Sequence, residues 1–362
     1  MPHDTDPGSP LLFACGAAMP NRFMLAPMTN RQSHPDGSLS DEEHHWLTKR
    51  AAGRFGMVMT CASHVQPNGR GWAGQLGIFS DRLLDGHRRL ARDIRAHGAL
   101  SIVQLHHAGI RAPEDLIEGP RVSASRHEAS GARALTTSEV ETLRDDFIAA
   151  ARRAQRAGHD GVEVHGAHGY ILTQFLSAET NRRTDAYGGS PEQRARLLIE
   201  IVDGIRAACG PDLVLGVRLS PEKFGLHPDD ILDVCRRLID DARTDFLDIS
   251  LWDYTKCPED PAHGSEPLLD RFVRLPRGDV RLAVAGGIRT AADVRTVLAK
   301  GVDFVSIGRS AILHHDFPAR VLRDPDFRPV ETPVSAEHLR TEGLSDVFID
   351  YMRRWPDFVA EE

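Results

Sequence analysis

The sequence has little of what several large classes of protein require. Lys and Arg number 44 against 52 Asp and Glu, so the chain lacks the basic excess that phosphate-backbone binding needs. No run approaches about 18 apolar residues, so we expect no membrane-spanning helix. The first residues contain no basic stretch followed by an apolar one, and no signal peptide is expected. These absences argue against nucleic-acid and membrane partners.

Cysteine is scarce and shows no pairing pattern. The five cysteines are odd in number and scattered along the chain: Cys15, Cys61, Cys209, Cys235 and Cys257. Such spacing predicts neither a disulfide framework nor a cysteine-based metal or iron–sulfur site. We therefore expect a cytoplasmic protein with reduced thiols and no metal centre.

Common nucleotide and nucleophile motifs are also missing. No G-x-G-x-x-G follows the first predicted strand and no G-x-x-x-x-G-K-[ST] occurs, which disfavours a doubly wound nucleotide-binding sheet. Ser220 and Ser250 lack a G-x-S-x-G context, so a hydrolase has little support.

What the chain does contain is an alternation of short apolar runs with longer amphipathic segments. Most of the short runs are continuously apolar, which is typical of parallel strands covered on both faces. Eight of them are predicted strands: 22–27, 56–62, 100–105, 161–165, 213–219, 245–250, 281–285 and 303–307. Eight strand–helix units over about 300 residues favour a (β/α)8 TIM barrel.

The predicted barrel core runs from about 20 to 322, within a single domain covering 1–362. Two segments exceed a normal connection: a capping insertion at 108–137 after the third strand, and a C-terminal tail over about 324–362. Long insertions on this side of a barrel usually shape a substrate site.

Several predicted helices begin with capping boxes, in which a hydroxyl and a side-chain oxygen pair with helix amides. The four candidates are Ser40 with Glu43, Ser138 with Glu141, Ser190 with Gln193 and Thr290 with Asp293.

The last two strands end in glycine, at Gly286-Gly287 and at Gly308-Arg309. Glycine lets backbone amides approach an anion closely, and barrels often hold a phosphate in these two loops. Arg309 adds a charge-assisted donor. The pattern favours a phosphate site over simple turns.

The fourth strand ends in His165-Gly-Ala-His168-Gly-Tyr170. Two imidazoles can stabilise negative charge on a carbonyl oxygen, and a nearby phenol can act as a general acid. Two alternatives are a zinc site, for which no third ligand is evident, and a structural His–Tyr cluster.

With these motifs the sequence resembles the old yellow enzyme family of flavin-dependent ene-reductases, from about residue 10 to 322. The resemblance is carried by Ala26-Pro-Met-Thr29, Gln104-Leu-His-His-Ala-Gly109, His165-x-x-His168-x-Tyr170, Gln174-Phe-Leu-Ser177, Asn181-Arg-Arg-Thr-Asp185, Arg218 and Gly308-Arg309. The H-x-x-H-x-Y form resembles the bacterial branch.

The resemblance implies an FMN cofactor, with NADH or NADPH as co-substrate. It implies that FMN is held by Ala26, Pro27, Met28, Thr29, Ala62, Gln104, His165, Arg218, Gly286, Gly287, Gly308 and Arg309. It also implies ping-pong reduction of an activated alkene, whose carbonyl or nitro oxygen is bound by His165 and His168 while Tyr170 protonates the α-carbon.

The chain departs from the family pattern in the pocket. The family usually has arginine directly after Gly109, whereas this chain has Ile110 there and Arg111 next. The bacterial branch often has cysteine at the position of Thr29 and tyrosine at the position of Arg31. Trp252, after the sixth strand, is a hypothetical substrate contact or else a packing anchor.

Some bacterial relatives place a C-terminal arginine in a neighbouring subunit's site. We therefore expect a homodimer or larger assembly with Arg353 or Arg354 near the partner's pocket.

Two other functions stay open. One is a non-redox barrel enzyme acting on a phosphorylated substrate, which would need a lysine or carboxylate base, and the other is a catalytically idle flavin-binding protein.

Overall fold

Eight parallel strands close into a barrel in the computed structural model, which describes residues 4–240 and 242–361. The strands are β1 Phe23–Leu25, β2 Met57–Met59, β3 Leu100–His106, β4 Gly161–Gly166, β5 Val214–Leu219, β6 Phe246–Ser250, β7 Arg281–Ala285 and β8 Phe304–Ile307. Each strand pairs with the next along the chain, and β8 pairs with β1. The predicted (β/α)8 barrel is confirmed, with each predicted strand present.

One main helix follows each strand and covers the outside of the barrel. These helices are α1 Asp41–Ala52, α2 Leu84–Arg95, α3 Thr137–Arg156, α4 Pro191–Cys209, α5 Pro228–Asp240, α6 Leu268–Val273, α7 Ala291–Ala299 and α8 Phe317–Arg323. Two shorter helices, Ile171–Leu176 and Arg309–Leu313, lie directly above β4 and β8. No helix in the described ranges is long and apolar enough to cross a bilayer.

The helix starts test the predicted capping boxes. The reciprocal pairs at Ser190–Gln193 and Thr290–Asp293 are confirmed. At α3 the prediction is wrong by two residues, because the box is formed by Thr136 and Glu139. Thr136 has extended backbone angles that suit an N-cap, whereas Ser138 already lies inside the helix.

The predicted box at α1 is only half formed. Ser40 accepts a hydrogen bond from the Glu43 amide, as an N-cap should. The Glu43 side chain instead turns into the protein, where it accepts from Asn30 Nδ2 at 3.0 Å and from Cys61 Sγ at 2.9 Å. Burial raises the pKa of this carboxyl. Glu43 therefore connects the loops after β1 and β2.

An N-terminal hairpin closes the lower end of the barrel, where the strands begin. Its antiparallel strands are Leu11–Leu12 and Ala18–Met19. Between them the Phe13 ring packs against two inward-facing rings, 6.0 Å from Phe246 and 5.9 Å from Phe304. This end of the interior is consequently filled by apolar side chains.

The insertion and the tail lie at the other end, where the strands finish. The insertion contains short helical turns and a two-stranded parallel pair, Val122–Ser123 with Arg133–Ala134. The tail adds helices Ala336–Thr341 and Asp346–Met352. It packs on α1 through the rings of Phe348 and Trp46, whose centroids are 4.9 Å apart.

Candidate active site

A cavity of about 350 Å³ lies at the C-terminal ends of β1, β5, β7 and β8. Nine sequence-predicted residues line it: Ala26, Pro27, Met28, Arg218, Trp252, Gly286, Gly287, Gly308 and Arg309. Sequence reasoning missed five others that share the wall: Ala285, Ile288, Arg289, Ser306 and Trp355. Most of the predicted cofactor residues therefore meet around one space.

One end of this cavity is built from the loops after β7 and β8. Gly286 is required by a close approach, because a Cβ there would lie 3.0 Å from the backbone nitrogen of Trp252. Within the described ranges, the guanidinium groups of Arg289 and Arg309 have no carboxylate partner. Burial and the charge of Arg289 lower the pKa of Arg309. Two cations without a close ion pair, beside glycine loops, suit a phosphate.

A charged cluster lies inside the barrel, between the cavity and the apolar lower end. Arg218 Nε lies 3.1 Å from Asp248 Oδ2 on the neighbouring strand. Glu163 Oε1 accepts from Gln104 Nε2 at 2.7 Å. Burial, and then the charge of Asp248, raise the pKa of Glu163 to about 8. The two carboxyl groups thus hold the side chains of Arg218 and Gln104, which are two of the predicted FMN contacts.

His165 and His168 face each other above this cluster, with His165 Nε2 and His168 Nδ1 3.4 Å apart. Burial is the main cause that lowers both pKa values, that of His168 to about 3, so both rings are neutral near pH 7. The amide of Ala167 donates to His165 Nδ1 at 3.3 Å, which places the His165 proton on Nε2. One donor therefore already points into the space between the rings.

Ser250 holds the far side of His168. Its Oγ lies 2.8 Å from His168 Nε2 and accepts from Arg218 Nη2 at 3.4 Å. In this geometry His165 Nε2–H donates to His168 Nδ1, so the His168 proton is on Nε2 and is donated to Ser250 Oγ. If an oxygen takes the place between the two rings, the serine hydroxyl can donate to Nε2 instead, and the His168 proton is then on Nδ1. Ser250 thereby couples the arginine to the histidine pair. The sequence analysis considered Ser250 only as a possible hydrolase nucleophile, which its surrounding residues do not support, and did not predict this role.

Tyr170 stands next to this pair. Its ring centroid is 5.3 Å from that of His165 and 4.3 Å from that of His106, both edge-to-face. Burial raises the pKa of the phenol.

Trp252 is 54% exposed, with its ring 6.0 Å from that of His168.

Gln75 is a second residue that the sequence did not reveal. Its Oε1 accepts from the Gly71 amide at 2.6 Å, so its Nε2 is the atom that faces Ala62 O at 2.7 Å and His106 Nδ1 at 3.1 Å. Gln75 therefore connects Ala62, a predicted cofactor contact, with the ring beside Tyr170. Thr29 is half-buried directly after Met28 and is not among the residues that line the cavity.

The loops around the site carry unusual backbone. Five non-glycine residues there have left-handed φ values between 57° and 68°: Arg31, His168, Lys223, Phe224 and Trp252. Such conformations cost free energy and are retained where the surroundings enforce them, often at functional sites.

In the described residues, no group of three or more His, Cys, Asp or Glu is arranged to hold a metal ion.

Most of the chain is similar in sequence to proteins of one known family. Residues 10–325 match the model of the NADH:flavin oxidoreductase / NADH oxidase family. The chain belongs to this family. A member from Bacillus subtilis, the probable NADH-dependent flavin oxidoreductase YqiG, is 36% identical over 323 residues, covering 86% of each chain. An NADPH dehydrogenase of Bacillus licheniformis is 34% identical over 94% of this chain and 96% of its own length.

Solved structures of the family agree. The old yellow enzyme homologue of Zymomonas mobilis superposes with a TM-score of 0.78 at 27% identity, covering 94% of this chain and 99% of the other. Two longer members, of which the chain spans only 36% and 35%, are 30% identical. The resemblance read from the sequence is confirmed, and the protein is an FMN-dependent NAD(P)H oxidoreductase.

The residues present fit FMN. The cavity has cations and glycine loops at one end and Arg218 at the other. Ser306 Oγ is buried without a hydrogen-bond partner in the described part of the chain, as expected of a group that meets a ligand.

Proposed function

We propose that the protein reduces the C=C bond of α,β-unsaturated carbonyl or nitro compounds. The observation that carries this proposal is the facing pair of neutral imidazoles, His165 and His168, with Tyr170 beside them. An oxygen placed between His165 Nε2 and His168 Nδ1 would accept from both rings. That polarisation makes the β-carbon electrophilic, and Tyr170 is the acid available for the α-carbon.

The cofactor is assigned to the residues around the cavity and the charged cluster beneath it. Gly286, Gly287, Gly308 and Arg309 would hold the FMN phosphate, with Arg289 as a further cation. Arg218 and Gln104 would contact the pyrimidine part, and Ala26, Pro27, Met28, Thr29 and Ala62 the ring system. When bound, FMN takes hydride from NAD(P)H and supplies it to the alkene.

We propose a ping-pong sequence, in which the oxidised nicotinamide leaves before the alkene enters the same pocket. Support comes from the closed lower end of the barrel, which leaves the loops at the strand ends as the way in. Trp252 would contact the alkene from the β6 loop.

The assembly is a separate proposal. We propose a homodimer or larger homo-oligomer with Arg353 or Arg354 at a partner's pocket. In this chain Arg354 lines a cavity together with Arg31 and Tyr351. Truncation after residue 345 should reduce both the sedimentation coefficient and the rate of alkene reduction. A monomeric parent whose truncated form keeps full activity would contradict the proposal.

We also propose a cytoplasmic location, because all five cysteines are free. Fractionation of the producing cell would test this, and recovery outside the cytoplasm would contradict it.

The decisive experiment for the function is the visible spectrum of the purified protein under anaerobic conditions. The flavin absorption should bleach with NADPH and return when cyclohexenone is added. In Tyr170→Phe, bleaching should persist while the return slows by about a hundredfold or more, the usual contribution of a general acid. Bleaching with no return for any enone or nitroalkene would overturn the proposal.

A further inference from the structure

Arg111 occupies a position in this site that neither the family match nor the predicted roles explain. It ends the short helical turn Gly109–Arg111 after β3. Its guanidinium carbon lies 5.2 Å from the centroid of the Tyr170 ring and 6.0 Å from that of Phe224. Its Nη1 donates to the carbonyl oxygen of His168. One side chain therefore contacts the backbone of a substrate-binding histidine and the face of the proposed acid.

The charge of Arg111 is not neutralised by a carboxylate. Exposed acids nearby in sequence pair elsewhere: Glu114 with Arg121 and Glu128 with Arg126. Across residues 4–240 and 242–361, no Asp or Glu lies within ion-pair distance of Arg111. Its field therefore acts on the aromatic side chains it touches.

The proposed reaction creates a need for such a charge. When Tyr170 protonates the α-carbon, its O–H bond breaks and the new C–H bond forms. The electron pair of the O–H bond stays on the phenolate oxygen of this half-buried side chain, which later takes a proton from water. An anion partly withdrawn from water is costly without a compensating charge.

We propose that Arg111 is a positioning residue that stabilises the Tyr170 phenolate during proton transfer. This inference rests on the proposed function. Burial raises the pKa of Tyr170, and the charge of Arg111 opposes that rise.

The other groups around Tyr170 do not supply a positive charge. His106 and His165, on β3 and β4, are neutral because burial lowers their pKa values. Tyr351, in the tail helix, acts in the opposite direction and raises the pKa of Tyr170. Arg111 is thus the cation that acts on this phenol in the described structure.

The test uses Arg111→Met, which removes the charge and keeps bulk, and Arg111→Lys, which keeps the charge. Single-turnover kinetics separate flavin bleaching by NADPH from its return with cyclohexenone. We expect Arg111→Met to slow the second step by about two- to fivefold, the size of a cation–ring interaction at an exposed site. The first step should not change, and Arg111→Lys should keep most of the rate.

The pH dependence supplies a readout that a purely structural role would not move. Alkene reduction requires protonated Tyr170, so the rate falls at alkaline pH as the phenol ionises. Without Arg111 the pKa of Tyr170 rises, and this alkaline limb should move to higher pH although the plateau rate is lower. In a Tyr170→Phe background, Arg111→Met should have no further effect on the second step.

Arg126→Met is the matched control, since Arg126 lies on the same insertion and pairs with Glu128 at the surface. It should leave both steps unchanged. An unmoved alkaline limb, equal slowing of both steps, or an effect confined to carboxylate-bearing alkenes would overturn the proposal. If the parent reduced no alkene, the proposed function would fail. Ultraviolet titration of Tyr170 in the parent and in Arg111→Met would still test the coupling.

Discussion

The two ends of the barrel interior use the same strands for opposite purposes. Inward-facing residues alternate along each strand, so β6 contributes Phe246, then Asp248, then Ser250, from its start to its end. On β4 the corresponding positions are Glu163 and then His165. The start of the β6 series packs in the apolar core, the middle position of both series carries a carboxyl group, and the end carries hydrogen-bonding groups.

Within a few residues of one strand, the side chains change from those that stabilise the barrel to those that form the candidate active site. The lower end buries apolar area around Phe13 and holds the barrel closed. The upper end keeps ionisable groups buried at a cost in stability. Substitutions at the two ends should therefore give different signatures.

Phe246→Ala should have the largest effect on stability. It removes a fully buried ring that packs against Phe13 and Phe304, and comparable truncations cost about 3–5 kcal/mol. Denaturant unfolding measures this loss. The spectrum of the flavin bound to the folded variant should be unchanged. A loss below about 1 kcal/mol would show that the lower end does not carry the stability assigned to it.

Glu163→Gln should change the pH dependence of stability. The raised pKa means that the folded state holds a proton between the ordinary value of 4.5 and about 8, whereas the unfolded state does not. The free energy of unfolding of the parent therefore falls across this window, by up to about 1.4 kcal/mol per pH unit, and levels off above it. The variant cannot titrate at this position and should lose the contribution of Glu163 to this slope, whereas Asp248, whose pKa is also raised by burial, still titrates. Parallel curves for the two proteins would contradict the assignment.

Ser250→Ala should weaken binding of the alkene oxygen. Losing the hydrogen bond to His168 Nε2 removes the preference for the Nδ1 proton, and about tenfold should be lost in kcat/KM. Nitrogen NMR of His168, recorded with an enone bound, reports the tautomer directly. Ser250→Thr keeps a hydroxyl and should restore both. An unchanged tautomer in Ser250→Ala would show that the serine only packs.

Trp252→Ala should have the smallest effect, about threefold in enone kinetics, because the ring is more than half exposed. Trp355→Ala is the comparison, since Trp355 lines the same cavity from the tail. It should alter FMN retention more than alkene selectivity. Unchanged kinetics for every enone tested with Trp252→Ala would leave Trp252 as a packing anchor.

The sequence predicted the barrel because its evidence is local. Each strand is a short apolar run, and the helix starts carry their own capping residues, although at α3 two hydroxyls competed and Thr136 formed the cap. The glycine loops and the H-x-x-H-x-Y motif were visible for the same reason.

The supporting residues were not predictable in this way. Gln75, Ser250 and Arg289 gain their roles only when distant loops meet, and nothing in their neighbours in sequence marks them. Arg111 was visible as a departure from the family pattern, but its contact with the Tyr170 ring depends on how the insertion folds.

The hairpin at the lower end of the barrel determines how small molecules can reach the cavity. Because Phe13 packs against Phe246 and Phe304, the lower end of the barrel is closed. Whatever reaches the cavity must then arrive and depart through one mouth. Under the proposed ping-pong sequence nicotinamide and alkene would compete for it, and an excess of either compound should inhibit the reaction of the other.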